Sequence, residues 1–316
     1  MRRRQFLREG LLPALAATWG TLHTTHSGSP AQCFAATPPA ATPNPVNGRH
    51  SGTKLKLSCA AYSFRKELSG DSPTLSLMDF VDFCAAQELD ATELTSYYFR
   101  RTDTEYLNAL KRRAYVNGLA ISGTPVGNNF CKPDPVERRK DVDHVKKWID
   151  HVVQLGAQTI RVFGGTAAKG MTEASAKAHA IEGLRESARY AGERGVLLAL
   201  ENHGGITRTA SDVVELVRAV DSPWLGVNLD TGNFHTEDPY HDLEIAAPYA
   251  VSVQVKVMTR AAGGVARPVD FDRVVQILRA AGYRGYLALE YEKKEDARLA
   301  VPKHLDALRQ AIARPH

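Results

Sequence analysis

From Lys54 onward, short apolar runs alternate with longer segments whose apolar positions recur every three or four residues. Runs rich in aliphatic and β-branched residues read as buried strands, and the 3.6-residue period reads as amphipathic helix. KLKLSCAAYSF precedes a helix from about Thr74 to Leu89, and DATELTSYYF precedes one whose Asp103 entry offers an N-cap. LAISGTPVG leads into Asp134 to Leu155, QTIRVFGG into Thr172 to Arg194, and VLLALENHGG into Ser211 to Val220. WLGVNLDTGNF is followed by a short helix near Asp238 to Tyr249, VSVQVKV by Phe271 to Ala281, and YRGYLALEYE by Ala297 to Ala313.

Eight βα units in succession predict a parallel sheet closed into an α/β (β/α)8 barrel, a single domain over residues 54–316. The 316 residues suit that architecture, which typically takes about 250. An open doubly wound sheet is the alternative. It is disfavoured by the lack of a GxGxxG turn after the first strand and by polar groups spread over strands five to eight.

The residues before Lys54 stand apart. Arg3-Arg4-Gln5-Phe6-Leu7-Arg8 resembles a twin-arginine export signal over residues 1–30, and residues 31–53, rich in Ser, Thr, Pro, Ala and Gly, read as a disordered linker. The expected destination is the periplasm. Gly10 to Leu22, broken by Pro13 and Gly20, is too short for a stable membrane span. The formal charge of +5 is concentrated here: five arginines against Glu9 leave a surplus of +4, so the barrel carries only +1. A nucleic-acid partner held through phosphate contacts is therefore not expected. Cys59, Cys84 and Cys131 follow neither a disulfide framework nor a zinc spacing.

Four strands end in polar groups. Alternation along a strand puts residues two apart on one face. Ala199, Glu201 and His203 share a face, as do Asn228 with Asp230, Ser252 with Gln254 and Lys256, and Ala288 with Glu290 and Glu292. Val253, Val255 and Val257 take the opposite face, so the polar face should be the barrel interior, with the site at the C-terminal strand ends. Glu201, Asp230, Glu290 and the amide oxygen of Gln254 form a mostly oxygen donor set, suited to Mn²⁺ or Mg²⁺, with Co²⁺ a further candidate. Such an ion can stabilise the enediolate of a hydroxy-ketone. Glu201 and Glu290 are the natural pair of catalytic groups to move its proton. His203, Lys256, Asn233, His235, Glu93, Arg161 and Arg260 are the candidate substrate-binding residues.

The motifs ALENHGG, NLDTGN, VQVK and ALEYE resemble the strand ends of the xylose-isomerase-like TIM barrel superfamily, which includes sugar (phosphate) isomerases and ketose 3-epimerases, inosose dehydratases and endonuclease IV. CAAYSF, ELTSYYF and IRVFGG resemble its strands one, two and four. The resemblance implies metal binding by Glu201, Asp230 and Glu290 and proton exchange by the two glutamates. The chain departs from the pattern at Gln254, where a histidine is usual, and at Asn233, with His235 two residues on. The expected function is a metal-dependent sugar (phosphate) isomerase or epimerase acting on a small sugar or polyol. The alternatives are a dehydratase and a non-catalytic sugar-binding barrel, and a second copy of the chain is the one macromolecular partner left open. A trinuclear-zinc nuclease is disfavoured because strands two and three hold no histidine.

Overall fold

The computed structural model describes residues 54–315; the expected export signal and linker lie outside them. Eight parallel strands surround one axis: β1 (Lys56–Ala60), β2 (Ala91–Glu93), β3 (Ala120–Gly123), β4 (Thr159–Phe163), β5 (Leu197–Glu201), β6 (Leu225–Asp230), β7 (Ala250–Lys256) and β8 (Tyr286–Glu290). They are hydrogen-bonded in the order β3-β2-β1-β8-β7-β6-β5-β4. The remaining seam is drawn together beyond β3, where the N–H of Thr124 donates to Thr159 C=O at 3.2 Å and that of Val126 to Arg161 C=O at 3.0 Å. The result is the expected single (β/α)8 barrel, nearly closed. A two-residue antiparallel ladder, Met258–Thr259 with Arg267–Pro268, follows β7.

Polar caps fix where the helices begin. Asp103, Asp134, Thr172, Thr209, Asp238, Asp270 and Asp296 each accept a backbone N–H from the first turn of the helix that follows, each worth about 1 kcal/mol. The helix expected from Thr74 instead spans Leu77–Ala86, because Ser76 and Asp79 form a reciprocal capping box. Strand two is also shorter than expected. Only Ala91–Glu93 pair as strand; a register shift follows Thr92, and Ser96–Tyr98 turn into a 3-10 helix.

The two faces of each strand divide as the alternation predicts. Val253, Val255 and Val257 are buried in the apolar layer beneath the helices, together with Leu198, Leu200, Leu287 and Leu289. The other face carries polar groups, and the stagger of the strands sets their levels. Glu201 lies opposite Asn228, Asp230 opposite Gln254, and Lys256 opposite Glu290.

Candidate active site

Glu93, Arg161, Glu201, Asp230, Gln254, Lys256 and Glu290 are all buried. Charged side chains are almost never fully buried without partners, so their pairing defines what this interior can do.

Glu201 ends β5 and meets Arg161 from β4, whose Nε lies 2.7 Å from Oε2. Its other oxygen accepts from Asn233 Nδ2 at 3.0 Å. Arg161 also donates to Val126 C=O at 2.9 Å and lies 4.0 Å from the centre of the Phe163 ring. Burial raises the Glu201 pKa, Arg161 opposes that rise, and the nearby charge of Glu290 adds to it.

Lys256 ends β7 and gathers the remaining acids. Its Nζ lies 2.5 Å from Glu290 Oε1, 2.7 Å from Glu292 Oε2 and 3.6 Å from Asp230 Oδ2. Burial disfavours the charge on Lys256, but Asp230, Glu290 and Glu292 outweigh it and hold the pKa well above the lysine range. Burial raises the Asp230 pKa, against the influence of Lys256. Asp230 Oδ1 accepts from the N–H of Gly232 at 2.8 Å, while the buried Oδ2 has no hydrogen-bond partner. The main chain of Asp230 is clasped by Asn202, which donates to its C=O at 2.9 Å and accepts from its N–H at 2.8 Å. A side chain on Gly232 would sit 2.7 Å from Lys256 Cβ, so the absence of one lets this turn pack against the lysine stem.

Gln254 lies one pleat deeper. Its Oε1 accepts from Asn228 Nδ2 at 2.7 Å and its Nε2 donates to Glu93 Oε2 at 2.9 Å. Burial pushes the Glu93 pKa up to about 8, so at neutral pH its carboxyl is largely protonated.

Of the other candidates, His203 is exposed at the rim, its ring 4.6 Å from that of Phe163. These two line a cavity of about 240 Å³ with Asn128, Asn129, Gly165, Thr166 and Thr207. His235 and Arg260 are exposed on the loops after β6 and β7. Glu292, Asn228 and Tyr62 were not among the candidates. The inward parity of Glu292 with Glu290, and of Asn228 with Asp230, was the signal for the first two. Tyr62, whose ring centre is 6.0 Å from Lys256 Nζ, comes from a turn after β1 that no periodicity marks.

The expected metal donor set is divided among three local clusters. The amide oxygen of Gln254 is taken by Asn228, both oxygens of Glu201 face Arg161 and Asn233, and Glu290 faces the ammonium of Lys256. Among the described residues, no group of three or more His, Cys, Asp or Glu is placed to hold a metal ion. As arranged, these side chains do not fit a divalent cation, because of the expected donors only Asp230 keeps a buried unpartnered oxygen while Arg161, Lys256 and two amides already face the others.

A nearly closed eight-stranded barrel with acids at the C-terminal strand ends defines a class that sequence comparison makes specific. The model of the xylose isomerase-like TIM barrel family matches residues 81–311, and the chain belongs to that family. No curated protein sequence matches it. Among solved structures, D-psicose 3-epimerase with D-tagatose from Clostridium cellulolyticum H10 superposes with a TM-score of 0.67 at 18% identity, covering 81% of this chain and 99% of that one. For 3-keto-D-glucoside 4-epimerase from E. coli in its apo form the values are 0.62, 16%, 82% and 100%. For the IOLI protein with a bound zinc atom they are 0.66, 17%, 81% and 96%.

Proposed function

We propose that the chain is a carbohydrate isomerase or epimerase that moves a proton at a carbon next to the carbonyl of a sugar or polyol ketone. The observation that supports this reading is that Glu201 and Glu290 both end strands of one barrel and the charge of Glu290 reaches Glu201. Both are buried at C-terminal strand ends, and each is held by its own cation, Arg161 or Lys256. Burial, with a smaller contribution from the charge of Glu290, raises the Glu201 pKa against the influence of Arg161, the direction that favours an acid as well as a base role for this carboxyl. One glutamate, as the carboxylate, takes the proton from carbon and the other, in its protonated form, returns one, while Asn233 and the rim residue His203 orient the hydroxyls. The sugar epimerases among the similar structures support the substrate class.

The metal-stabilised enediolate expected from the donor set would require Gln254, Glu201 and Glu290 to exchange their present partners. The proposal therefore rests on the protein's own groups.

The test is a screen of ketoses and inososes in D₂O. Deuterium incorporation at carbon that is lost in Glu201→Gln and in Glu290→Gln is the expected result. Product mass separates isomerisation, which conserves it, from dehydration, which removes water. Ligand binding without deuterium exchange would identify a sugar-binding barrel and end the enzymatic reading. We also propose export through the twin-arginine route. Loss of the periplasmic pool in an Arg3→Lys, Arg4→Lys double variant is the expected outcome, and unchanged export would refute it.

A further inference from the structure

Two hydrogen-bonding positions face each other in the buried interior at the C-terminal strand ends. Lys256 has three N–H groups. One donates to Glu290 Oε1 at 2.5 Å, Glu292 Oε2 forms an ion pair at 2.7 Å, and the next oxygen, Asp230 Oδ2, is 3.6 Å away, beyond hydrogen-bond length. Asp230 Oδ2 is itself buried without a partner. A donor N–H and an acceptor with free lone pairs, 3.6 Å apart, match the two vicinal oxygens of an enediolate, the oxyanion accepting from Lys256 and the neighbouring hydroxyl donating to Asp230 Oδ2.

We propose that the ammonium of Lys256, rather than a divalent metal ion, is the cation that stabilises the developing oxyanion in this barrel. The proposal rests on the proton-transfer function above. Three observations support it. The ammonium lies among Asp230, Glu290 and Glu292, where it screens their mutual repulsion. Gln254, at the position where the family usually places a histidine ligand, is committed on both amide atoms, to Asn228 and to Glu93. Glu201 is neutralised by Arg161. A dication added here would stand against two buried protein cations, with Gln254, Glu201 and Glu290 of its expected ligands already engaged.

The step balances without a co-reactant. A carboxylate removes the proton from the carbon beside the carbonyl, and the C–H electron pair forms the C=C bond of the enediolate. The carbonyl π pair moves onto oxygen, where the N–H of Lys256 and its positive charge meet it. Lys256 keeps its proton throughout. Reprotonation of carbon by the second, protonated carboxyl group restores a carbonyl and leaves the two groups with exchanged protonation states, which proton exchange with water resets. A preorganised charge in a water-poor site is an effective stabiliser of such an oxyanion.

The test uses the full-length protein purified in chelator. Mn²⁺ is titrated in and followed by electron paramagnetic resonance, and deuterium exchange is measured with and without the ion. Wild type is expected to leave Mn²⁺ free in solution and to exchange equally well in chelator. Lys256→Met is expected to lose exchange about 10²-fold or more and, with its carboxylates now uncompensated, to take up Mn²⁺. Lys256→Arg, which keeps the charge, is expected to retain part of the exchange activity. Stoichiometric Mn²⁺ binding by wild type, or exchange that appears only with the ion, overturns the proposal. The Mn²⁺ titration of wild type needs neither a variant nor a known substrate. A failure of the cation inference is thereby distinguished from a failure of the proton-transfer function, in which no ketose exchanges under either condition.

Discussion

Arg161 Nε lies 2.7 Å from Glu201 Oε2, with both side chains more than nine-tenths buried. Each charge is compensated mainly by the other, so removing one leaves the other stranded in a poorly solvated interior. Arg161→Met is expected to destabilise the fold by about 3–5 kcal/mol. The double variant Arg161→Met, Glu201→Gln should recover much of that loss, since both desolvation costs disappear together. Urea unfolding of the four proteins in this cycle measures the coupling; strict additivity would contradict the pairing.

Glu93 gives the interior a pH dependence. Its folded pKa of about 8 is above the ordinary value of 4.5, so the native state binds more protons than the unfolded chain between those limits. The stabilising contribution is complete below about pH 4.5 and is lost as pH rises towards 8, with a slope of at most about 1.4 kcal/mol per pH unit. Glu93→Gln, which keeps an acceptor for Gln254, should flatten the stability profile over that window. An unchanged slope in denaturant titrations at a series of pH values would remove Glu93 as its source.

Asn202 is the side chain that holds Asp230 in place. Its two bonds to the main chain of Asp230, at 2.9 and 2.8 Å, tie β5 to β6 where the site begins. Asn202→Ala leaves a buried donor and a buried acceptor unpaired, at a cost of about 2–4 kcal/mol. Asn202→Asp should not rescue it, because an acceptor would then face the Asp230 carbonyl. Thermal and chemical denaturation of both variants checks the order.

Gly205 adopts φ +53°, and a Cβ there would stand 2.4 Å from the carbonyl oxygen of Gly165. This contact joins the loops after β4 and β5, where Phe163 and His203 line the rim. Gly205→Ala combines left-handed strain with a backbone clash and should cost about 2 kcal/mol or more. A midpoint of thermal unfolding lowered by roughly 4–8 °C is the expected outcome. A midpoint unchanged from wild type would mean that the two loops part without penalty.

How much of this was legible in sequence can be judged from β7. The alternation of Ser252, Gln254 and Lys256 with Val253, Val255 and Val257 identifies the inward face, because a pleat of period two has only two faces. The same rule placed Glu201, Asp230 and Glu290 inside, and the residues Asp103, Asp134 and Thr172 marked helix starts because a cap is a local interaction. Strand two is shorter than its sequence suggests: Leu94 to Phe99 is apolar and aromatic enough for a strand, but the chain turns there into a 3-10 helix at Ser96–Tyr98, and local propensity does not contain that turn.

The sequence by itself determined the succession of βα units, the inward parity of the polar residues and the family to which the chain belongs, since each depends on periodicity or motif within a short segment. Tertiary structure alone decided which inward groups meet. Asn228 and Gln254 are separated by 26 residues and Gln254 and Glu93 by 161, and their contact depends on the stagger between neighbouring strands and on closure of the sheet. That stagger set Gln254 level with Asp230 and Lys256 level with Glu290, and brought an ammonium, rather than four free oxygen donors, to the centre of the acids. Parity gives the face of a strand, but only the closed barrel gives the level at which each side chain stands.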